Sequence, residues 1–183
     1  MLRLRQYKKC DAQSVVRWIN DERIFQLWGG ERFGKFPIDA DVINEKYFGS
    51  NGDCAEEDNF FPVTAFDEQG AAGHFIMRYT GGDNKALRFG WVITDSSRRG
   101  RGIGREMLTL GIEYAFEIYK AEFVTIGVFE NNAPAYRCYK AVGFRENEDA
   151  EDYYEDVLGE RVRIAELIIK REEYAEMKAK RGV

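Results

Sequence analysis

The sequence has little of what metal sites and disulfide scaffolds are built from. It contains one histidine, His74, and three cysteines, Cys10, Cys54 and Cys138. The cysteines are widely separated and odd in number, and no CxxC or Cys/His ligand spacing occurs. These absences argue against a zinc site and a disulfide framework. We therefore expect reduced thiols, no bound metal and a cytoplasmic protein.

Long apolar runs and an excess of positive charge are also absent. No apolar run approaches the ~20 residues needed to span a bilayer. The charged N-terminal stretch MLRLRQYKK is not followed by the apolar segment of a signal peptide. The formal net charge of −5 argues against the broad basic surface that non-specific nucleic-acid binding requires. We expect neither a membrane nor a nucleic-acid partner.

What is present indicates an ordered globular chain. Its 183 residues are 44% hydrophobic and 14% aromatic, which disordered chains are not. Internal repeats and low-complexity linkers are missing, so we predict one domain over 1–183. Its last part, 171–183, is a charged tail for which a helix is one interpretation.

Hydrophobic periodicity predicts strands alternating with helices, and thus an α/β or α+β sheet with helices on its faces. The predicted strands cover residues 2–7, 60–66, 73–79, 86–93, 122–129 and 160–169. Asp11 is predicted to cap the first helix. Further helices are expected over 22–28, 39–48 and 133–143, with Asn132 as the cap of the last. Residues 51–59 are polar and predict a loop.

The stretch SSRRGRGIGREML, residues 96–108, has three interpretations. It could be a basic arm, a turn before a helix, or a backbone cradle for phosphates. It matches R-x-x-G-x-G through Arg99, Gly102 and Gly104, but neither GxxxxGK[ST] nor GxGxxG. The stretch lies between a strand and an amphipathic helix, whose N-terminus favours an anion. A pyrophosphate therefore fits it well.

A second motif follows the next predicted strand, in ENNAPAYRCYKAVGF, residues 130–144. Together the two motifs resemble the GNAT acetyltransferase superfamily over about residues 86–145. Its second signature, N-x-x-A-x-x-x-Y-x-x-x-G-F, is met by Asn132, Ala135, Tyr139, Gly143 and Phe144. The resemblance implies acetyl-CoA as co-substrate. It also implies a mixed central sheet of about six to seven strands with flanking helices.

The resemblance further implies where acetyl-CoA is held. In the family it lies in a V-shaped gap between two splayed parallel strands, here 86–93 and 122–129. The pantetheine amides would pair with the backbone of Val92, Ile93 and Thr94, and Asn132 would contact the cofactor arm. Backbone N–H groups of the loop would take the pyrophosphate, from Arg99, Gly100, Arg101, Gly102, Ile103, Gly104 and Arg105.

Tyr139 occupies the position of the family's general acid, close to the thioester sulfur. A phenol with an ordinary pKa near ~10 is protonated at neutral pH and can donate to the leaving thiolate. A packed core aromatic is the other interpretation. The adjacent Cys138 is interpreted as a buried thiol rather than a nucleophile.

The general base is where the resemblance weakens. Some relatives place a glutamate eleven residues before the first residue of the loop motif, and others twelve before the tyrosine; here these positions hold Arg88 and Gly127. Deprotonating an alkylammonium costs about 4–5 kcal/mol at pH 7. Another carboxylate, a water chain or bulk solvent must then serve. Arg88 either positions an anionic group of the acceptor or is a surface cation, and His74 is interpreted as packed.

The acceptor side is less specific. Residues 146–160 carry eight acidic residues in fifteen. They form either a negative rim that concentrates a cationic amine, with Tyr153 and Tyr154 adding cation–π contacts, or a solvated loop. Trp28 and Phe33 either cover the acceptor cleft or belong to the core.

These residues predict acetyl transfer from acetyl-CoA to an amine, by direct attack in a ternary complex. Polyamine-like amines, a protein N-terminus, an amino sugar and an amino acid all remain open as acceptors. A non-catalytic acyl-CoA-binding sensor with the same fold is the alternative. A homodimer is left open.

Overall fold

The computed structural model describes residues 1–82 and 84–181, with Arg181 described by its backbone alone. Its contacts divide the chain into two compact units. The N-terminal unit comprises Met1–Arg78 and Gly90–Met107, and the C-terminal unit comprises Tyr79–Phe89 and the chain from Leu108 onward. That residues 1–183 form one domain stays a prediction.

The described residues form eight strands of an open mixed sheet. They are β1 (Arg3–Gln6), β2 (Phe61–Asp67), β3 (Gly70–Thr80), β4 (Ala86–Thr94), β5 (Phe123–Phe129), β6 (Arg145–Glu146), β7 (Tyr153–Val157) and β8 (Glu160–Lys170). The strand order is β1-β2-β3-β4-β5-β8-β6, and β7 also pairs with β8. β4 and β5 are parallel, whereas β1–β2, β2–β3 and the pairs of β8 are antiparallel.

This topology confirms the predicted fold class and corrects the strand count. β6 and β7 were not predicted and bring the sheet of the described residues to eight strands rather than six to seven. β6 has only two residues. β7 lies in the acidic segment, whose polar composition favoured a loop. It forms because its register with β8 pairs Tyr153 with Ile164 and Val157 with Glu160.

The N-terminal unit contains three short α-helices among its described residues: α1 (Ala12–Trp18), α2 (Glu22–Leu27) and α3 (Ala40–Asn44). A π-helical turn continues α3 over Glu45–Gly49. These helices bury an apolar face, as Val15, Phe25 and Ile43 are fully buried. All three were predicted, because each has a polar start and an apolar stripe.

Asp11 does not cap α1 as predicted. It precedes the helix, but its side chain makes no capping hydrogen bond. Its carboxylate instead accepts from both Nη1 and Nη2 of Arg5, at 2.7 and 2.8 Å, and from the Thr64 hydroxyl at 2.8 Å. These partners come from two strands, and hydrogen bonds to a carboxylate from a guanidinium are charge-assisted and roughly twice as strong as neutral ones. The same contacts keep the pKa of Asp11 below its usual value, although burial opposes them.

The C-terminal unit is built around β5, where Val124 and Ile126 are buried. Its helices are α4 (Ile103–Glu113), which begins in the N-terminal unit, α5 (Ala133–Ala141) and α6 (Arg171–Arg181). A π-helical turn, Tyr114–Ile118, continues α4. The sequence predicts an apolar stripe of Leu108, Ile112, Ala115, Phe116 and Tyr119, of which the first four are buried and Tyr119 is half-buried.

The charged tail is a docked helix over most of its length. The Tyr174 ring stacks on Phe116 with centroids 4.9 Å apart, and its hydroxyl donates to Glu117 at 3.1 Å. The helical interpretation is confirmed over 171–181, while residues 182 and 183 lie outside the described part. Within the described residues, no helix has the length and apolarity that a membrane crossing needs.

Candidate active site

The glycine stretch forms a turn that leads into the N-terminus of α4. The Asp95 carboxylate accepts from Ser97 N at 2.9 Å and closes a short 3₁₀ turn over Ser96–Arg98. The Glu106 N–H donates to Gly102 O at 3.0 Å and begins the α-helical ladder. The N–H groups of residues 103–105 therefore have no intrahelical acceptor and are free to bind an anion.

Two glycines of this turn, Gly100 and Gly102, have left-handed backbone conformations. Their φ angles are +79° and +76°. No heavy atom lies within 4 Å of the point where either would carry a Cβ. Glycine is therefore required there by the backbone, and it leaves open space in front of the N-terminus of α4.

The four arginines of the turn divide into two kinds. Arg99, Arg101 and Arg105 are exposed. Arg98 is mostly buried and pairs with Asp67 at the end of β2. This guanidinium lowers the pKa of the Asp67 carboxyl. Arg98 thus holds the turn in place, and the other three give the N-terminus of α4 its positive charge.

β4 extends beyond its pairing with β5. The shared register ends at Phe89 and Ile126, whereas β4 continues to Thr94. Ile93 is buried, while Val92 and Thr94 are half-buried. The backbone groups of β4 after Phe89 that face away from β3 are therefore not used by β5. They can pair with an extended ligand, as expected for Val92 to Thr94.

Tyr139 lies on α5 and is buried. Only 7% of its surface is exposed, and its ring lies 6.4 Å from that of Phe144. Burial raises the pKa of its hydroxyl above the ordinary value that the sequence suggested. The phenol therefore holds its proton at neutral pH even more firmly than expected.

Asn132 caps α5 as predicted. Its side-chain oxygen accepts from Ala135 N at 3.4 Å. The cap occupies the oxygen of the amide, and the nitrogen is the part of the side chain that can serve a ligand. Cys138, next to Tyr139, is half-buried and forms no disulfide.

The two positions where relatives carry a glutamate are close together in the C-terminal unit. Arg88 on β4 forms an ion pair with Glu166 on β8, and its Nη1 contacts Thr125 Oγ1 at 3.3 Å. Gly127 pairs in register with Glu166. Arg88 is therefore paired with a carboxylate of its own chain, and it is not an unpaired surface cation. Sequence reasoning missed Glu166, although a lone carboxylate between Ala165 and Leu167 in an apolar run was a usable signal.

His74 is a packed core residue, as interpreted. It is fully buried, and burial lowers its pKa to about 3. Its Nε2 is hydrogen-bonded to the Tyr47 hydroxyl at 2.7 Å. A neutral, enclosed imidazole of this kind cannot take a proton from an acceptor amine.

Trp28 and Phe33 belong to the core of the N-terminal unit. Both are buried, and their rings stack with centroids 4.5 Å apart. The Phe33 ring also lies 4.7 Å from Trp91, which stacks on Tyr47 at 5.7 Å. Of the two predicted roles, the structure supports packing.

Part of the acidic segment, Tyr153–Val157, is strand β7, while residues 147–152 lie in turns and irregular backbone. The Arg163 Nε donates to Asp152 at 2.7 Å, and the Arg161 guanidinium lies 4.8 Å from the Tyr154 ring centroid. Tyr153 and Tyr154 nevertheless keep 52% and 42% of their surface exposed. Arginines of β8 thus neutralise part of the charge, and Tyr154 already has a cation on its ring.

Metal ligation has no candidate in the described part of the chain. No group of three or more His, Cys, Asp or Glu side chains there could hold a metal ion.

Comparisons with known proteins agree with this geometry. A family model described as an acetyltransferase (GNAT) domain matches residues 1–145. The spermine/spermidine N(1)-acetyltransferase of Bacillus subtilis (strain 168) is 36% identical over 88 residues, which are 46% of this chain and 54% of that protein. The chain thus aligns with only about half the length of this relative.

Solved structures share the fold at lower identity. Spermidine N-acetyltransferase from Vibrio cholerae, in complex with CoA and spermine, gives a TM-score of 0.77 at 19% identity, covering 95% of this chain and 98% of the other. An aminoglycoside acetyltransferase in complex with coenzyme A gives 0.72 at 16% identity, covering 97% and 99%.

Proposed function

This chain belongs to the GNAT acetyltransferase family, and we propose that it transfers an acetyl group from acetyl-CoA to an amine. The observation that carries the proposal is the turn before α4. It combines unpaired backbone N–H groups, left-handed Gly100 and Gly102, and three exposed arginines. These features together fit a pyrophosphate better than either a linker or a basic arm.

Acetyl-CoA would be held by residues of both motifs. The N–H groups from Arg99 to Arg105 take the pyrophosphate, and the free backbone of Val92 to Thr94 pairs with the pantetheine amides. The side-chain amide N–H of Asn132 donates a hydrogen bond to the cofactor arm. Acetyl-CoA supplies an activated thioester carbonyl, so the chain's own residues need only bind, orient and move protons.

Tyr139 is proposed as the general acid. Its burial keeps the hydroxyl protonated, so it can give that proton to the thiolate that leaves as the amine attacks. The burial and lowered pKa of His74 exclude it as the general base that deprotonates the acceptor amine.

The acceptor is proposed to be a cationic polyamine-like amine. The chain carries a net charge of −5, and its acidic segment presents exposed carboxylates at Glu148, Asp149 and Glu151. Such a surface attracts cations over about one Debye length, ~8 Å at physiological salt. The names of the bacterial relatives, spermine and spermidine acetyltransferases, support the same class.

An amine panel tests the proposal. Purified protein is incubated with acetyl-CoA and spermidine, spermine, an aminoglycoside or a peptide with a free N-terminus. Thiol release and acetylated product are followed by mass spectrometry. We expect spermidine or spermine to give the highest kcat/KM. Tight binding of acetyl-CoA without amine-dependent thiol release would instead favour a sensor.

A cytoplasmic location is part of the proposal. It rests on three cysteines that form no disulfide, Cys10, Cys54 and Cys138. Accessible thiols on protein isolated from the cytoplasmic fraction would support it.

A further inference from the structure

Three residues on adjacent strands of the C-terminal unit form one local arrangement. Arg88 on β4 pairs in register with Thr125 on β5, and Gly127 on β5 pairs with Glu166 on β8. Residues two apart on a strand point to the same face. Arg88, Gly127 and Glu166 therefore share one face of the sheet.

A side chain at Gly127 would crowd the Arg88 guanidinium where it now lies. A Cβ there would lie 2.9 Å from Arg88 Nη2, 3.1 Å from Ile164 Cγ2 and 3.5 Å from Glu166 Oε2. The side-chain-free position lets the guanidinium cross β5 and reach β8. There Nη2 donates to Glu166 Oε2 at 3.1 Å, and Nη1 donates to Oε1.

The pair is placed where a ligand can reach it. The side chains of Arg88 and Glu166 keep 31% and 20% of their surface exposed. Glu166 lies beside Gly127, one residue after the last β5 position that pairs with β4. The carboxylate is thus at the point where the two parallel strands cease to pair.

Under the proposed function the acceptor is an alkylammonium at neutral pH, and an anionic side chain at the end of the parallel strand pair would attract it. Position 88 offers a guanidinium and position 127 offers no side chain. Glu166, from a third strand, is the carboxylate that reaches the same place. An ammonium and a guanidinium compete for the same two oxygens, since both are hydrogen-bond donors of equal charge.

We propose that Glu166 accepts hydrogen bonds from an ammonium group of the acceptor other than the attacking amine, and so positions the acceptor, and that Arg88 is the counter-ion that the acceptor displaces. The inference rests on the proposed function and names the residue that selects a cationic acceptor. Because Gly127 has no side chain, Arg88 can reach across β5 and stay paired with Glu166 until an acceptor binds.

Opposite effects of the two partners test this arrangement. We compare Glu166→Gln and Arg88→Gln, using steady-state kinetics with spermidine and calorimetry with acetyl-CoA. Glu166→Gln should raise the KM for spermidine about tenfold or more, equivalent to ~1.4 kcal/mol. Arg88→Gln should lower that KM, because the carboxylate loses its competitor. Neither change should alter acetyl-CoA affinity by more than about twofold.

The matched control is Glu173→Gln, which removes the carboxylate of the Arg145–Glu173 pair in the same unit. It should leave the KM unchanged. An unchanged KM in Glu166→Gln, or an equal rise in Arg88→Gln and Glu166→Gln, would overturn the inference and leave a purely structural ion pair. If Glu166→Gln does not fold, the double variant Arg88→Gln/Glu166→Gln leaves no orphan charge and must show the raised KM.

The result also separates this inference from the proposed function. If the wild type releases thiol and Glu166→Gln has an unchanged KM for the acceptor, the inference fails and the proposed function stands. If the wild type prefers another primary amine of the panel, the same comparison is made with that amine. No amine-dependent thiol release by the wild type overturns both.

Discussion

Trp28 donates its indole N–H to the backbone carbonyl of Trp91 at 2.8 Å. Trp91 is a residue of β4 with a left-handed φ of +47°. An L-residue in this region is strained by about 1–2 kcal/mol. The hydrogen bond from Trp28 gives the Trp91 carbonyl a partner and holds it in this conformation. The buried indole of the N-terminal unit thereby sets the path of β4 just before Val92.

Removing this donor should loosen the end of β4. We expect Trp28→Phe to lower the free energy of unfolding by about 1–3 kcal/mol, because a partly buried carbonyl loses its partner. It should also weaken acetyl-CoA binding, since Val92 to Thr94 follow directly. Trp18→Phe, at an equally buried tryptophan of α1, is the control for ring size. Equal acetyl-CoA affinity in the two variants would count against the role of the bond.

Gly102 offers a test of the phosphate turn. Gly102→Ala places a Cβ at a φ of +76° in front of the free N–H groups. Gly159→Ala, in the β7–β8 turn, has a similar φ of +84° and equally open surroundings. Both should cost about 1–2 kcal/mol of stability. Only Gly102→Ala should weaken acetyl-CoA binding in calorimetry, and equal losses of affinity would refute the assignment.

Arg98 and Arg101 should separate stability from binding. Arg98→Gln leaves Asp67 without its guanidinium, and we expect the free energy of unfolding to fall. Arg101→Gln removes an exposed charge, so stability should hold while acetyl-CoA affinity falls several-fold, and less at high salt. Chemical denaturation and calorimetry at two salt concentrations measure both. The reverse pattern would show that the roles of these arginines are misassigned.

Tyr139→Phe keeps the buried ring and removes the proton donor. If Tyr139 is the acid, kcat should fall by roughly 10²–10⁴-fold with little change in acetyl-CoA affinity. The acid works when protonated, and burial raises its pKa. Wild-type kcat should therefore persist as pH rises through ~10, the ordinary tyrosine value, and decline only above it. Undiminished turnover in the variant would return Tyr139 to a packing role.

Local patterns made much of the fold, and the backbone of the glycine turn, predictable. The turn at 96–108 and the Asn132–Tyr139 motif are short segments, and the residues of each motif lie close together in the sequence. The features that were missed depend on partners far along the chain. Asp11 is satisfied by Thr64, Arg88 by Glu166, and β7 exists only because β8 pairs with it. No local periodicity encodes such pairings.

The most direct measurement of the central claim uses acetyl-CoA labelled in its acetyl group. The protein is incubated with this cofactor and spermidine, and free thiol and labelled acetyl-spermidine are quantified together. We predict equal amounts of both products. Their rate of formation should rise with protein concentration and be reduced in Tyr139→Phe. Bound acetyl-CoA that releases no thiol in the presence of any amine of the panel would contradict it.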